Sequence, residues 1–338
     1  IYYLGYSVQK DINKALYYFT LAAKQNNINA LSTLGSIYLD GIYVTQDINK
    51  AIYYYSLAAN LNDVNAQNKL GIIFYKGKYT NVDINKSIYY FTLASKQNNA
   101  IAYLYLGLIF YFNVPDINKS LYNLMLSAKQ NNIDAQIMLG GIYFMGKYVK
   151  KDDCKSFFYY SLAAKQNDPT AQLIIGMFYF NGIYVTRDVK KAIHYYKLSA
   201  DCGNEIAQFY LGKIYLLGEY VPQDIPKSIH YLTLSSNKGI SFAQYCLGII
   251  YLESINVRKD INKAIYYLTL ASNNNLGIAQ WTLGIQYIKG ENVEKNIKKG
   301  ILYIMLSSKN DSIDGNFSVG FLYHEGKYLE QDIEKAIH

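Results

Sequence analysis

The sequence predicts an all-α fold, a solenoid of about nine helix-turn-helix repeats of 36 residues. Three observations predict it. The segment DINKAIYYYSLAA at 47–59 has near copies at 11–23 and 260–272. An Asp and a Gly recur along the chain in two columns that keep the same steps. The apolar residues within each copy follow the 3.6-residue period of an α-helix.

The two columns keep one register along the whole chain. Successive members lie 36 residues apart, except for one step of 33 across the loop NVPD at 113–116. The first column is Asp11, Asp47, Asp83, Asp116, Asp152, Asp188, Asp224 and Asp260, completed by Asn296 and Asp332. The second column, called the column glycines below, is Gly35, Gly71, Gly107, Gly140, Gly176, Gly212, Gly248, Gly284 and Gly320. Two columns in step over so many registers indicate a repeat array.

The first helix of each repeat contains the column glycine and is predicted to end six residues later. Glycine stands at that later position in most repeats, as Gly41 and Gly77 show. Because glycine adopts positive φ at little cost, it commonly ends helices. We therefore assign structural roles to Gly41 and Gly77, and to the column glycines Gly35 and Gly71 of the same helices.

The second helix of each repeat is predicted to begin after the column Asp. The carboxylates of Asp47 and Asp83 are expected to accept the unpaired N–H groups of the first turn and to favour the positive end of the helix dipole. Beyond Asp47, apolar residues such as Ala51, Tyr55 and Ala58 recur at helical spacing and predict a stripe for packing.

Composition and motifs exclude several classes of function. The net charge of +8 is spread along the chain, which does not favour a nucleic-acid partner. The sequence has no HExxH motif, no phosphate-binding glycine loop and no nucleophile elbow, so we predict that the chain is not an enzyme and has no cofactor. The longest apolar run, LYLGLIFYF at 104–112, is too short to span a membrane.

The cysteines bear on metal binding and on the compartment. Cys154, Cys202 and Cys246 stand at unrelated repeat positions, without the spacing of a zinc site or a disulfide framework. We therefore predict no metal site and expect a cytoplasmic location, with the endoplasmic reticulum lumen or secretion as open alternatives.

The repeated pattern resembles a known family. A-x-x-x-L-G-x-x-Y-x-x-G followed by D-x-x-K-A-x-x-Y-Y-x-x-A-A, complete at residues 30–65, is similar to the Sel1-like repeat, a relative of the tetratricopeptide repeat. The resemblance covers essentially the whole chain. It implies a right-handed superhelix whose first helices line the concave side. The chain departs from the family where Tyr, Phe or Leu replaces the usual Trp of the second helix, and at Asn296 and Gly315 near the end.

The repeat boundaries predict a single array over residues 1–338. Full repeats are expected to start near residues 30, 66, 102, 135, 171, 207, 243 and 279, with partial repeats at 1–29 and 315–338. Both ends fall inside predicted helices, without the polar caps that solenoids need. We therefore expect the sequence to be a segment of a longer protein.

The candidate site is a stripe on the first helices. By analogy with tetratricopeptide repeats, the residues three before, one after and four after each column glycine should face inward; we call them the apolar stripe. Its predicted partner-binding members are Leu104, Tyr111, Phe144, Met177, Phe180, Phe209, Tyr245, Trp281 and Phe317. Either neighbouring first helices cover the stripe, or it binds an apolar or amphipathic partner segment with Phe209, Tyr245 and Trp281 as anchors.

The functional prediction is a non-enzymatic scaffold that binds a protein or peptide in its concave groove. One alternative is the regulatory arm of an enzyme, for example a kinase, fused outside this segment. Another is a structural array that associates with itself end to end. The partners expected are proteins, with no nucleic acid and no membrane span in this segment.

Overall fold

The computed structural model describes residues 11–326 together with residues 332 and 335. Within them are eighteen α-helices and no strand. The chain divides into two compact units, unit 1 over Ile1–Gln166 and unit 2 over Asn167–His338. The outer parts of the two predicted partial repeats, at 1–10 and at most positions beyond 326, lie outside the described residues. The prediction of one array with the stated repeat boundaries stays a prediction.

The helices alternate between the two predicted kinds, so that even-numbered helices contain the column glycines. Unit 1 contains α1 (Ile12–Lys24), α2 (Ile28–Asp40), α3 (Ile48–Asn60), α4 (Val64–Lys76), α5 (Ile84–Ser95), α6 (Ala100–Phe112), α7 (Ile117–Lys129), α8 (Ile133–Met145) and α9 (Asp153–Lys165). Unit 2 contains α10 (Pro169–Asn181), α11 (Val189–Asp201), α12 (Glu205–Leu217), α13 (Ile225–Asn237), α14 (Ser241–Glu253), α15 (Ile261–Asn273), α16 (Gly277–Lys289), α17 (Ile297–Lys309) and α18 (Ile313–Glu325).

The column Asp caps every odd-numbered helix except α17, where Asn296 does so, and it holds a lysine in place. The carboxylate of Asp47 accepts the backbone N–H of Lys50 at 2.9 Å, and this bond holds the pKa of Asp47 below its usual value. The Lys50 ammonium lies 3.3 Å from the same carboxylate and 5.1 Å from the centre of the Tyr38 ring. Asp83, Lys86 and the Phe74 ring repeat this arrangement. The cap therefore also ties the second helix to the first.

Glycines act in two different ways in the even-numbered helices. Gly41 and Gly77 follow the last helical residue with φ of 65° and 60°, in the left-handed region. Gly35 lies inside α2, where a Cβ would stand 2.7 Å from the buried Tyr55 ring. A Cβ on Gly71 would likewise stand 2.7 Å from the Phe91 ring. The column glycines therefore allow a large side chain of the second helix to pack directly on the backbone of the first.

A buried glutamine four residues before the column glycine links successive repeats. In unit 1 the Nε2 of Gln67 donates to the carbonyl of Ala59 at 3.2 Å, and its Oε1 accepts the side-chain amide of Gln97 at 2.9 Å. Gln166 donates to Gln136 in the same way, at 2.9 Å. Each of these donors lies 30 residues after the glutamine that it contacts. We call this contact the amide link.

The amide link is incomplete in part of unit 2. Asn274 and Asn310 donate to Gln244 and Gln280 at 3.0 and 2.9 Å. The Oε1 atoms of Gln172 and Gln208 are buried without a hydrogen-bond partner. The residues 30 positions after these two glutamines are Cys202 and Lys238, neither of which has a side-chain amide. The missing donors explain the two unpaired acceptors.

The repeat with the three-residue deletion keeps its helix pair. Helix α6 is followed by Asn113 with φ of −105°, so no left-handed residue caps it. The N–H of Asp116 donates directly to the carbonyl of Phe110 at 2.8 Å. Asp116 still caps α7, and a Cβ on Gly107 would still meet Leu124 at 2.6 Å. The deletion therefore shortens the loop alone.

Candidate partner-binding surface

The apolar stripe differs in exposure from one helix to the next. Of the nine predicted partner-binding residues, Leu104 is buried, while Phe144 and Phe317 are 40% and 76% exposed. The other six are half-buried, namely Tyr111, Met177, Phe180, Phe209, Tyr245 and Trp281. Half-buried members pack against the core, as Tyr111 does in unit 1 and Met177 in unit 2. Neighbouring helices thus cover most of the stripe and leave part of its aromatic surface accessible.

Polar groups of the stripe are used between successive repeats. The indole N–H of Trp281 on α16 donates to the hydroxyl of Ser318 on α18 at 2.9 Å. Burial raises the pKa of Tyr245, and a side-chain hydrogen bond with Thr282 of α16 partly offsets that rise. In unit 1, Asn68 donates to Asn99 at 3.0 Å. These hydrogen bonds hold the stripe residues in place and leave mainly apolar ring surface for other contacts.

Phe209 lies in an aromatic contact between two even-numbered helices of unit 2. Its ring centre is 6.3 Å from that of Phe242 on α14 and 5.7 Å from that of its neighbour Tyr210. Phe242 is itself 53% exposed. The two phenylalanines widen the apolar surface beyond the predicted stripe.

In unit 1 the stripe borders a cleft of about 160 Å³, which we call the unit 1 cleft. Its walls are Tyr111 on α6 and Tyr148 in the loop after α8, with ring centres 5.3 Å apart in an edge-to-face contact. Pro115 and Asp116 also line it, and Asp116 is paired with Lys119 at 3.1 Å. Its walls are therefore aromatic, and its one carboxylate is already neutralised.

In unit 2 a cleft of about 230 Å³ borders the corresponding pair of rings, and we call it the unit 2 cleft. Its walls are Phe180 on α10 and Tyr220 in the loop after α12, with ring centres 5.4 Å apart, again edge to face. The guanidinium of Arg187 lies 5.7 Å from the Phe180 ring centre and 5.0 Å from that of Tyr220. Lys213, the stripe residue that follows the column glycine of α12, lines the cleft together with Glu219.

The loop residues of the clefts are functional candidates that the sequence analysis did not name. Tyr148 and Tyr220 both stand eight residues after a column glycine, and tyrosine recurs at that position at Tyr43, Tyr79 and Tyr184. This recurrence is the signal that could have found them. Arg187 had no such signal, because its position before the column Asp varies among repeats.

The described residues form neither a metal site nor a membrane-spanning helix. No group of three or more His, Cys, Asp or Glu residues there could hold a metal ion. No helix among them is long and apolar enough to cross a membrane.

Comparison with known proteins decides the family. The sequence model of the Sel1 repeat matches residues 1–27, 29–63, 64–99, 133–168, 169–204, 206–240, 241–276, 277–304 and 313–338. The chain belongs to the Sel1 repeat family. The predicted fold class, an all-α solenoid of about nine such repeats, is confirmed. Sel1 repeat proteins generally mediate protein–protein interactions, and their fold is typically a non-catalytic scaffold.

Two crystal structures are similar to this Sel1 repeat chain over most of its length. One is a protective antigen present in uropathogenic Escherichia coli strains that displays an SLR fold, with 28% identity and a TM-score of 0.86 over 99% of this chain and 72% of that one. The other is a Sel1 repeat protein from Oxalobacter formigenes, with 26% identity and a TM-score of 0.74 over 91% of each chain. A comparison with curated protein sequences finds no match.

Proposed function

We propose that this Sel1 repeat chain is a non-enzymatic scaffold that binds an apolar or amphipathic segment of a partner protein along the apolar stripe. One observation supports it above all. Aromatic stripe residues of unit 2 keep accessible ring surface after the neighbouring helices have packed, and Phe180, Phe209 and Trp281 are all of this kind. Large rings held in place by packing lose little conformational entropy on binding, and such rings dominate binding hot spots.

The polar contacts of the stripe support the same function. The indole N–H, the only side-chain donor of Trp281, already bonds to Ser318. A partner therefore contacts the ring and not an unpaired N–H group. Within unit 2, Phe242 on α14 is 53% exposed, and its ring lies 6.3 Å from that of Phe209. This accessible pair of rings supports a binding surface.

Replacing stripe rings by a charged residue tests the proposal. We expect the double variant Phe209→Asp, Trp281→Asp to lose at least about thirtyfold in affinity for proteins that the unmodified chain captures, because each ring is a hot-spot candidate. The measurement is quantitative pull-down from cell extract with the purified chain. Tyr266→Asp is the matched control, since Tyr266 is 58% exposed on α15 and lies outside the stripe.

Folding of the variants separates binding from packing. Circular dichroism should show the same helical content for the double variant and for the control. If the double variant unfolds, Phe209 and Trp281 belong to the core. The capture experiment is then repeated with Phe144→Asp, since Phe144 is 40% exposed. Undiminished capture by a folded stripe variant would refute the proposal.

A further inference from the structure

The unit 2 cleft has the size of a pocket for one side chain. Its volume of about 230 Å³ is below the roughly 300–1,000 Å³ of small-molecule and cofactor sites. Its walls are the rings of Phe180 and Tyr220, and Ile214 and Leu217 also line it. A space of this kind suits one large apolar side chain and is too small for a cofactor.

Arg187 fixes the two rings that form the cleft. Its Nε donates to the backbone carbonyl of Phe180 at 3.0 Å, and its guanidinium lies over both rings. Such a cation over two aromatic faces holds them at a set separation. The cleft is thus preformed, which lowers the entropy cost of binding.

The positive charge around the unit 2 cleft favours an acidic residue next to the apolar side chain that the cleft binds. Neither Arg187 nor Lys213 forms an ion pair within the part of the chain that the structure describes. The one carboxylate that lines the cleft, Glu219, is likewise without an ion pair there, so the three groups together leave a net positive charge. Lys213 is exposed and stands within an otherwise apolar stripe, where an acidic group of a partner can reach it.

We propose that the unit 2 cleft binds a partner segment in which a large apolar side chain stands beside an aspartate or glutamate. The apolar side chain packs beside the contacting rings of Phe180 and Tyr220, against Ile214 and Leu217, and the carboxylate pairs with Lys213. This inference rests on the function proposed above and adds to it the chemistry of the partner.

Two short peptides test this chemistry on the full chain. The probes are acetyl-Gly-Phe-Glu-Gly-amide and the same peptide with Gln in place of Glu. Methyl NMR of isoleucine-labelled protein reports the site, because Ile214 lines the unit 2 cleft and Ile117 lines the unit 1 cleft. We expect the Glu peptide to shift the Ile214 methyl saturably, with at least fivefold tighter binding than the Gln peptide.

Lys213→Met supplies the second arm of the test. It keeps the length and the apolar stem of the side chain and removes the charge, so it should weaken the Glu peptide at least fivefold and leave the Gln peptide unchanged. Unchanged Ile117 methyl signals and helical content show that the variant is folded. The inference is overturned if the Ile214 methyl does not respond, if both peptides bind equally, or if Lys213→Met binds the Glu peptide as tightly as before.

The two proposals fail in different ways. If Lys213→Met captures the natural partner undiminished while the Phe209→Asp, Trp281→Asp variant does not, the scaffold function stands and the cleft inference falls. If the folded Phe209→Asp, Trp281→Asp variant captures partners undiminished, the stripe proposal falls, whatever the peptides do at Ile214.

Discussion

The unit 1 cleft and the unit 2 cleft have the same aromatic frame and a different charge. In both, a stripe ring of an even-numbered helix meets a loop tyrosine of the next repeat edge to face. Pro115 stands in unit 1 where unit 2 has Arg187, and Gly141 stands where unit 2 has Lys213. The repeat therefore supplies the ring pair. The rest of the lining differs, since Ile117 of α7 contributes in unit 1 and Ile214 and Leu217 of α12 contribute in unit 2, and these differences supply the selectivity.

The units also differ in the amide link. In unit 1 the buried acceptors of Gln67 and Gln136 are both paired, whereas in unit 2 those of Gln172 and Gln208 are not. A buried acceptor without a partner costs about 1–3 kcal/mol. The unit 2 cleft lies on the repeats whose amide link is incomplete. Gln208 is on α12 together with the cleft residue Lys213, and Gln172 is on α10 together with Phe180.

The largest expected effect comes from two adjacent glycines of α8 in unit 1. A Cβ on Gly140 would lie 2.8 Å from the buried Tyr160 ring, whereas on Gly141 the nearest atom is the Tyr160 hydroxyl at 3.4 Å. We expect Gly140→Ala to lower the free energy of unfolding by about 3 kcal/mol through overpacking. Gly141→Ala should raise it by up to about 1 kcal/mol, because alanine favours the helix.

Thermal unfolding followed by circular dichroism measures this pair of variants. Opposite shifts of the melting temperature would show that position 141 is open to a side chain while position 140 is not. Destabilisation of similar size in both variants would contradict this difference.

A smaller effect is expected from completing the amide link in unit 2. Cys202→Asn places a side-chain amide 30 residues after Gln172, as Asn274 does for Gln244. We expect the free energy of unfolding to rise by about 1 kcal/mol, because a buried acceptor gains a hydrogen bond. Cys202→Ala is the control, since it removes the thiol without adding a donor. Equal stability of the Asn and Ala variants would count against the link.

The smallest expected effect is a gain of selectivity in unit 1. The double variant Pro115→Arg, Gly141→Lys places two cations at the sequence positions of Arg187 and Lys213, next to the ring pair of Tyr111 and Tyr148. We expect the methyl of Ile142, which holds the position of Ile214, to respond to the Glu peptide with at least threefold preference over the Gln peptide, a difference of about 0.7 kcal/mol. The same NMR titration, with Ile214 as internal reference, measures it. A response at Ile214 alone would show that the cleft shape of unit 2, and not its charge, selects the peptide.

The fold could be predicted from the sequence because every repeat encodes the same local events. A carboxylate begins a helix at Asp47, a glycine ends one at Gly41, and the apolar period between them sets the buried face. Each decision depends on a few neighbouring residues and is repeated along the chain, so one unclear repeat is corrected by the others.

The candidate surface could be predicted only in part. Leu104 and Phe209 hold the same position relative to their column glycines, yet Leu104 is buried and Phe209 is half-buried. Their exposure depends on how the next helix packs, which is a tertiary property. The clefts could not be predicted from the sequence for a related reason. Tyr220 contacts Phe180 only through the conformation of the loop that follows α12.

The short loop after α6 has a practical consequence for protein engineering. The connection between Asn113 and Asp116 is three residues shorter than in the other repeats, yet Asp116 still caps α7 and Leu124 still packs on Gly107. The connection ahead of a column Asp is therefore where a fluorophore tag or an inserted epitope belongs, since a change of length there leaves the helix register intact.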